Sequence, residues 1–283
     1  MTNLGLEVAR EADARGVAES VIAPGNDTRD ADILSTGLRS RWSLSHPLGG
    51  FRSPIVRSAG AAAARLLQAG GWGLIKAAER FRMGPGLSGD RTIEWAWVLS
   101  RLRRDPGRVL DFGAGTGFVA LAAAFAGHEV VAIDLEPCAF EFKGAPITYR
   151  QGNLNELEFE PCSFDQVLNC STIEHVGLGG RYGSTTDPDG DLRAMERLAS
   201  LLHPDGDMVL TLPVGIDGIF PPYHRVYGAE RLPRLLERFA VSDEAWWAKL
   251  DGKSWQPATR QAALAVHGSS SYYALGLFVV TSR

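Results

Sequence analysis

A glycine-rich turn between two apolar segments constrains the fold of this chain more than any other feature. Before the turn, Arg108–Phe112 carries aliphatic side chains without a helical period, which is typical of a short buried strand. After it, residues 116–127 suit a helix, and residues 129–133 suit a second strand. Glycine lets the backbone turn tightly and lie close to a ligand where a Cβ would collide. We therefore predict a ligand-binding turn at the edge of an open α/β sheet, built on Gly113, Gly115 and Gly117.

An acid at the end of the second strand indicates what this turn binds. Asp134 follows the first glycine by about twenty residues, where an open α/β sheet places an acid against the ribose hydroxyls of a nucleoside. The dinucleotide fingerprint needs a third glycine three residues after the second, and the chain has Phe118 there. The chain also has no GxxxxGK[ST] segment for a nucleotide phosphate. A nucleoside ligand other than NAD or ATP is therefore expected.

The segment DFGAGTG at residues 111–117, followed by Asp134, resembles motif I and the ribose acid of class I S-adenosylmethionine-dependent methyltransferases. The resemblance implies a Rossmann-like open sheet of about seven strands, mostly parallel with an antiparallel last strand and with helices on both faces. It also implies S-adenosyl-L-methionine as cofactor and S-adenosyl-L-homocysteine as product, with no metal. The residues expected to bind the cofactor are Asp111, Gly113, Gly115, Gly117, Asp134, Leu135, Asn153, Leu154 and Cys170.

The loop after the predicted fourth strand, Phe164–Cys170, is the candidate catalytic segment. Ligands of open sheets lie beyond the carboxyl ends of the strands, so this loop should face the transferable methyl group. We predict His175 as the general base, because its ordinary pKa of about 6.5 suits proton removal at neutral pH. Glu174 is the alternative base, and a structural histidine is the alternative role for His175. A Glu-Glu-His metal arrangement, found in some quinone O-methyltransferases, would need a first Glu that the sequence lacks there.

Residues 174–228 resemble a little-characterised group of methyltransferase-like proteins with EHVGLG, DPDGD and HRVYG segments. Four residues of this region are predicted to line the acceptor pocket: Tyr182, His224, Arg225 and Tyr227. For the HRVYG segment, a structural loop anchored by an arginine ion pair is an equal alternative. Asp189 or Asp191 is expected to cap the helix that follows, not to bind a metal.

Length and composition indicate how the chain is organised. The 283 residues suit one catalytic domain, residues 91–283, preceded by an N-terminal extension. Residues 1–90 read as a partly mobile segment followed by helix, either packed on the sheet or serving as a lid over the substrate. No export signal or membrane span is visible, and three cysteines without CxxC spacing suit a reducing cytoplasm. A monomer or homodimer is expected.

The sequence therefore predicts an S-adenosylmethionine-dependent N- or O-methyltransferase that acts on a small molecule, with natural-product or sugar tailoring as the expected setting. One alternative is a cofactor-binding methyltransferase-like protein with a docking or regulatory role. A second is a nucleic-acid or protein methyltransferase. A net charge of −4 offers no field for a polyanion, so no nucleic-acid partner is expected. The segment at residues 220–223, FPPY, also lacks the acceptor oxygen of the Asn/Asp-Pro-Pro-Tyr motif that binds a base amine.

Overall fold

A computed structural model of the chain describes residues 86–137, 144–179 and 186–283. The predicted N-terminal extension, apart from its last few residues, lies outside the described residues, and so does Tyr182. The domain boundary and the lid therefore remain predictions.

An eight-stranded sheet organises the described residues, in the order β3-β2-β1-β4-β5-β10-β8-β9. Neighbouring strands among β1 to β5 pair in parallel, whereas β10 pairs antiparallel with both β5 and β8. The predicted open sheet with an antiparallel last strand is confirmed, with eight strands instead of about seven. β6 and β7 form a separate antiparallel pair. The strands are β1 Arg108–Phe112, β2 Glu129–Asp134, β3 Ile147–Gln151, β4 Phe164–Cys170, β5 Leu202–Val214, β6 Gly218–Phe220, β7 His224–Val226, β8 Phe239–Ala248, β9 Gln256–Pro257 and β10 Ala274–Ser282.

Helices cover both faces of the sheet, because successive strand residues point to opposite sides. On one face α1 and α2 pack their apolar side chains against Val109 and Leu168. On the other face α3 packs against Leu110 and Val167. The helices are α1 Asp90–Ser100, α2 Phe118–Phe125, α3 Gly190–Leu201, α4 Arg231–Leu235 and α5 Arg260–Leu264, with a 3-10 helix at Ile173–His175.

The parallel part of the sheet brings the predicted site to one edge. The carboxyl ends of β1, β2, β4 and β5 lie side by side, and β10 begins beside the end of β5 because it runs antiparallel to it. The loops that follow these strands therefore share a common edge of the sheet. Within the described part of the chain, no helix has the length and apolarity to cross a membrane.

Candidate cofactor and acceptor site

The glycine turn after β1 adopts a conformation that requires glycine. Gly113, Gly115 and Gly117 have φ angles of +75°, +53° and +72°, in the left-handed region that side chains with a Cβ rarely enter. A Cβ on Gly113 would overlap the side chain of Thr172, in the loop after β4. A Cβ on Gly115 would meet no atom closer than 4.0 Å. The turn is thus packed against protein at Gly113 and open at Gly115, where a ligand can approach the backbone.

Asp134 lies beside this turn at the end of β2. Its Oδ2 accepts a hydrogen bond from the backbone N–H of Gly115 at 2.8 Å, and its Oδ1 accepts one from the N–H of Glu136 at 3.0 Å. A carboxylate oxygen can accept more than one hydrogen bond, so both oxygens retain capacity for further donors. Two adjacent hydroxyl groups of a ribose would supply such donors.

Asp111, near the end of β1, has an unsatisfied carboxyl oxygen. The residue is 2% exposed, and its Oδ2 has no hydrogen-bond partner. Burial, together with the nearby charge of Asp134, raises the pKa of Asp111 to about 7, although a backbone hydrogen bond from Ala120 opposes the rise. Buried polar atoms in folded proteins normally have partners, so this oxygen is suited to a polar group of a ligand.

The other predicted cofactor residues lie at the ends of β2, β3 and β4. Leu135 is exposed beyond β2, whereas Leu154 is buried in the core, so its side chain serves packing. Asn153 engages its amide locally: Oδ1 accepts from the N–H of Asn155 at 3.1 Å, and Nδ2 donates to Glu156 at 3.3 Å. Cys170 ends β4, and burial raises the pKa of its thiol well above the usual range. The sheet therefore brings these residues to one edge, with Asn153 also stabilising its own turn.

Sequence analysis missed a buried acid, Glu94 of α1, at the same edge. Its side chain is fully buried, and Oε1 accepts hydrogen bonds from the hydroxyls of Ser171 and Thr211, the latter at 3.1 Å. Its Oε2 pairs with the guanidinium of Arg91 at 3.1 Å. Glu94 and Val98 are the buried residues of α1. The donors from Arg91, Ser171 and Thr211 make burial of this acid tolerable.

Glu174 and His175 adjoin one another in the 3-10 helix after β4. Glu174 is buried, and its Oε2 has no hydrogen-bond partner. Its Oε1 lies 3.6 Å from Nε2 of His175, whose Nδ1 contacts the carbonyl oxygen of Tyr223. Burial raises the pKa of Glu174 to about 8, and the negative charge of Glu94 contributes to the rise. The two residues therefore form an acid–base pair with one buried and one partly exposed member.

The position of Glu94 raises the question of whether a metal ion could bind beside Glu174 and His175. It supplies a second glutamate close to the Glu174–His175 pair, although it comes from α1 and not from the loop. Its oxygens already accept from Ser171, Thr211 and Arg91. Within the ranges that the structure describes, no group of three or more His, Cys, Asp or Glu side chains is arranged to hold a metal ion.

The HRVYG segment forms an internal network, which favours the structural alternative for Arg225 and Tyr227. Arg225 is 1% exposed and donates to the carbonyl oxygens of Val176, Asp187 and Pro188. The fully buried Tyr227 donates its hydroxyl to Asp191 at 3.0 Å.

Asp191 also pairs with Arg231 at 2.5 Å, so it serves this network and not a helix cap. Asp189 precedes α3 but makes no side-chain capping bond, so the capping prediction is wrong for both residues. His224 is buried; Nε2 lies 3.0 Å from the Ser269 carbonyl oxygen, and its ring packs edge-on against Tyr273 at 4.8 Å.

Similarity to curated proteins covers about half to two thirds of the chain. Over 150 residues the chain is 33% identical to the ubiquinone biosynthesis O-methyltransferase of Xanthomonas campestris pv. campestris strain B100, a match over 50% of this chain and 57% of that protein. Over 202 residues it is 27% identical to the enzyme of the same name from Paracidovorax citrulli, covering 64% of this chain and 80% of that one. Over these stretches the chain is therefore similar to proteins named as O-methyltransferases.

The chain spans less than two thirds of the length of the Xanthomonas relative. Its other similarities are more distant in sequence. Residues 154–265 match the family described as Caenorhabditis protein of unknown function, DUF268. A Burkholderia thailandensis 1,6-didemethyltoxoflavin-N1-methyltransferase, crystallised with 1,6-didemethyltoxoflavin and S-adenosylhomocysteine, aligns over 96% of this chain and 100% of its own, with 17% identity and a TM-score of 0.46. The N-methyltransferase NodS of Bradyrhizobium japonicum WM9 aligns over 69% and 88%, with 14% identity and a TM-score of 0.47.

Proposed function

We propose that this chain is an S-adenosylmethionine-dependent methyltransferase that transfers a methyl group to an oxygen or nitrogen of a small molecule. The observation that carries the proposal is the glycine turn, open at Gly115, with Asp134 fixed beside it. The relatives named as O-methyltransferases support oxygen as the first acceptor atom to test.

The residues at the edge of the sheet suit the parts of this cofactor. Asp134 offers two oxygens for the ribose hydroxyls, and the turn offers backbone without a Cβ at Gly115. The unsatisfied oxygen of Asp111 and the partly exposed guanidinium of Arg91 suit the amino and carboxylate groups of the methionine portion. When bound, the cofactor supplies a methyl group on a sulfonium sulfur, which is already an activated leaving group.

The protein must therefore hold the acceptor in line with the methyl group and take up its proton. The Glu174–His175 pair suits proton uptake, because its two side chains lie 3.6 Å apart and Glu174 has an unpaired oxygen. Tyr223 lies beside this pair, since its carbonyl oxygen contacts the His175 ring.

The test is cofactor binding by calorimetry. Two hydrogen bonds to a charged acceptor contribute about 1.5 to 3 kcal/mol each, so Asp134→Ala should weaken binding of S-adenosylhomocysteine at least about tenfold. Asp105→Ala, which removes an exposed carboxylate before β1, is the matched control and should bind as the wild type does. Equal affinity of Asp134→Ala and wild type would contradict the assignment.

A second measurement separates catalysis from docking. Incubation with methyl-labelled S-adenosylmethionine and a panel of small phenols, amines and sugars should transfer label to one chemical class. Tight cofactor binding without transfer to any of them would favour the docking or regulatory alternative.

A further inference from the structure

Glu94 lies where two strand ends and the acceptor side of the site converge. The hydroxyls of Ser171, after β4, and Thr211, in β5, both donate to the same oxygen of its carboxylate. Arg91 donates to the other oxygen. Three donors therefore converge on this one carboxyl group. The acid therefore links α1 to the segment that carries Glu174 and His175.

Ser171 shows that this link constrains the backbone. Its φ is +50°, in the left-handed region where a residue with a Cβ costs about 1 to 3 kcal/mol. The conformation is held by two hydrogen bonds: its N–H donates to the carbonyl oxygen of Thr211 at 3.0 Å, and its hydroxyl donates to Glu94. Glu174 follows three residues later, so the direction of the chain at Ser171 determines where its carboxyl group lies.

The site around Glu94 and Glu174 contains more acidic than basic side chains. Glu94 and Glu174 are both buried, while the facing cation, Arg91, is partly exposed. The negative charge of Glu94 acts on Glu174 across the site, and the Arg91 charge opposes it. The elements packed around Glu94 and Glu174 contribute further titratable and charged groups. These are Asp90 and Arg91 of α1, Cys170 of β4, Arg225 of β7, Tyr227 after it, Asp191 of α3 and Tyr273 before β10.

We infer that Glu94 is a positioning residue for the acceptor side: through Ser171 it fixes the loop that carries Glu174 and His175, and its charge acts on that pair. The inference rests on the proposed function only in assigning this pair to the acceptor.

The test follows the ionisation of Glu174 directly, without turnover. Protein labelled with carboxyl-¹³C glutamate is titrated by NMR, and the Glu174 signal is assigned from its loss in Glu174→Gln. In the wild type this signal should titrate near pH 8. Glu94→Gln keeps an oxygen for Ser171 but removes the charge, so the midpoint should fall by about one pH unit. Glu237→Gln, which neutralises an exposed carboxylate after α4, should leave the midpoint unchanged.

A second variant covers the case in which Glu94→Gln does not fold. Arg91→Gln removes the partly exposed cation, so the Glu94 charge acts on Glu174 unopposed and the midpoint should rise above the wild-type value. An unchanged midpoint in either folded variant would overturn the inference. The signal is measured without cofactor or acceptor, so this result does not depend on whether the protein transfers a methyl group. Conversely, an unchanged midpoint would not contradict the proposal that Asp134 binds the cofactor.

Discussion

Adding one methyl group to the glycine turn should reduce cofactor affinity by more than its effect on folding explains. Gly115→Ala places a Cβ at a residue with φ of +53°, which costs an L-residue about 1 to 2 kcal/mol. No further cost arises in the free protein, since the nearest atom to that Cβ is 4.0 Å away. The open side is where we propose that the cofactor approaches the backbone. We therefore expect a loss of about 1 to 2 kcal/mol in unfolding free energy and at least a tenfold loss in cofactor affinity, equivalent to about 1.4 kcal/mol.

Gly113→Ala is the matched substitution two residues earlier. Its φ of +75° carries a similar backbone cost, but its Cβ would overlap Thr172, lying 2.8 Å from the Cβ of that residue. Overpacking adds about 1 to 3 kcal/mol, so the unfolding free energy should fall by about 2 to 5 kcal/mol in total.

The assays are thermal or denaturant unfolding without ligand and calorimetry with S-adenosylhomocysteine. The expected pattern is that Gly113→Ala loses more stability, while Gly115→Ala stays folded and loses affinity. Wild-type affinity in Gly115→Ala would refute the placement of the cofactor against this turn. Equal destabilisation by the two substitutions would refute the contact argument at Thr172.

Three further outcomes are expected. Because burial raises the pKa of Asp111 to about 7 from an ordinary value near 4, its contribution to stability is fully present below about pH 4 and is lost as pH rises through 7; Asp111→Asn should remove this decline, which amounts to about 2.5 kcal/mol of unfolding free energy between pH 5 and pH 8, and a persisting decline would exclude Asp111 as its source. Tyr227→Phe deletes a hydrogen bond to Asp191 and should cost about 1.5 to 3 kcal/mol of unfolding free energy with an unchanged acceptor KM, whereas a raised KM at wild-type stability would restore its pocket role. His175→Ala should lower kcat by about a hundred- to ten-thousand-fold with cofactor affinity nearly unchanged; an acidic limb of the kcat pH profile identical to that of the wild type would argue against His175 as a member of the base pair.

The strands around the glycine turn could be predicted from local sequence patterns. β1, the glycine turn, β2 and β4 lie where aliphatic runs and glycines indicated them. β8 was missed, because half of Phe239–Ala248 is exposed and its charged residues hide the strand pattern. β5 runs through Pro213 to Val214, whereas a proline commonly marks the end of pairing in a strand.

The candidate site was only partly predictable for a similar reason. Asp134 follows a strand and a glycine turn, so its position beside the turn could be inferred from the order of elements along the chain. Glu94 lies 77 residues before its partner Ser171, and nothing near it in the sequence marks it for burial. Arg225 and Tyr227 were correctly grouped but belong to a buried network whose partners lie about 40 residues earlier, which no local spacing reveals.

The placement of β10 determines when the sheet can be completed on the ribosome. β10 follows the other strands in the chain, yet it lies between β5 and β8. During synthesis, β5 and β8 each retain an unpaired edge until Ala274–Ser282 emerges. Until then the nascent domain exposes two strand edges that can pair with other chains. Insertion of β10 late in synthesis joins two parts of the sheet that were separate before. Factors that shield strand edges should therefore matter most for the yield of this protein between synthesis of β8 and release of β10.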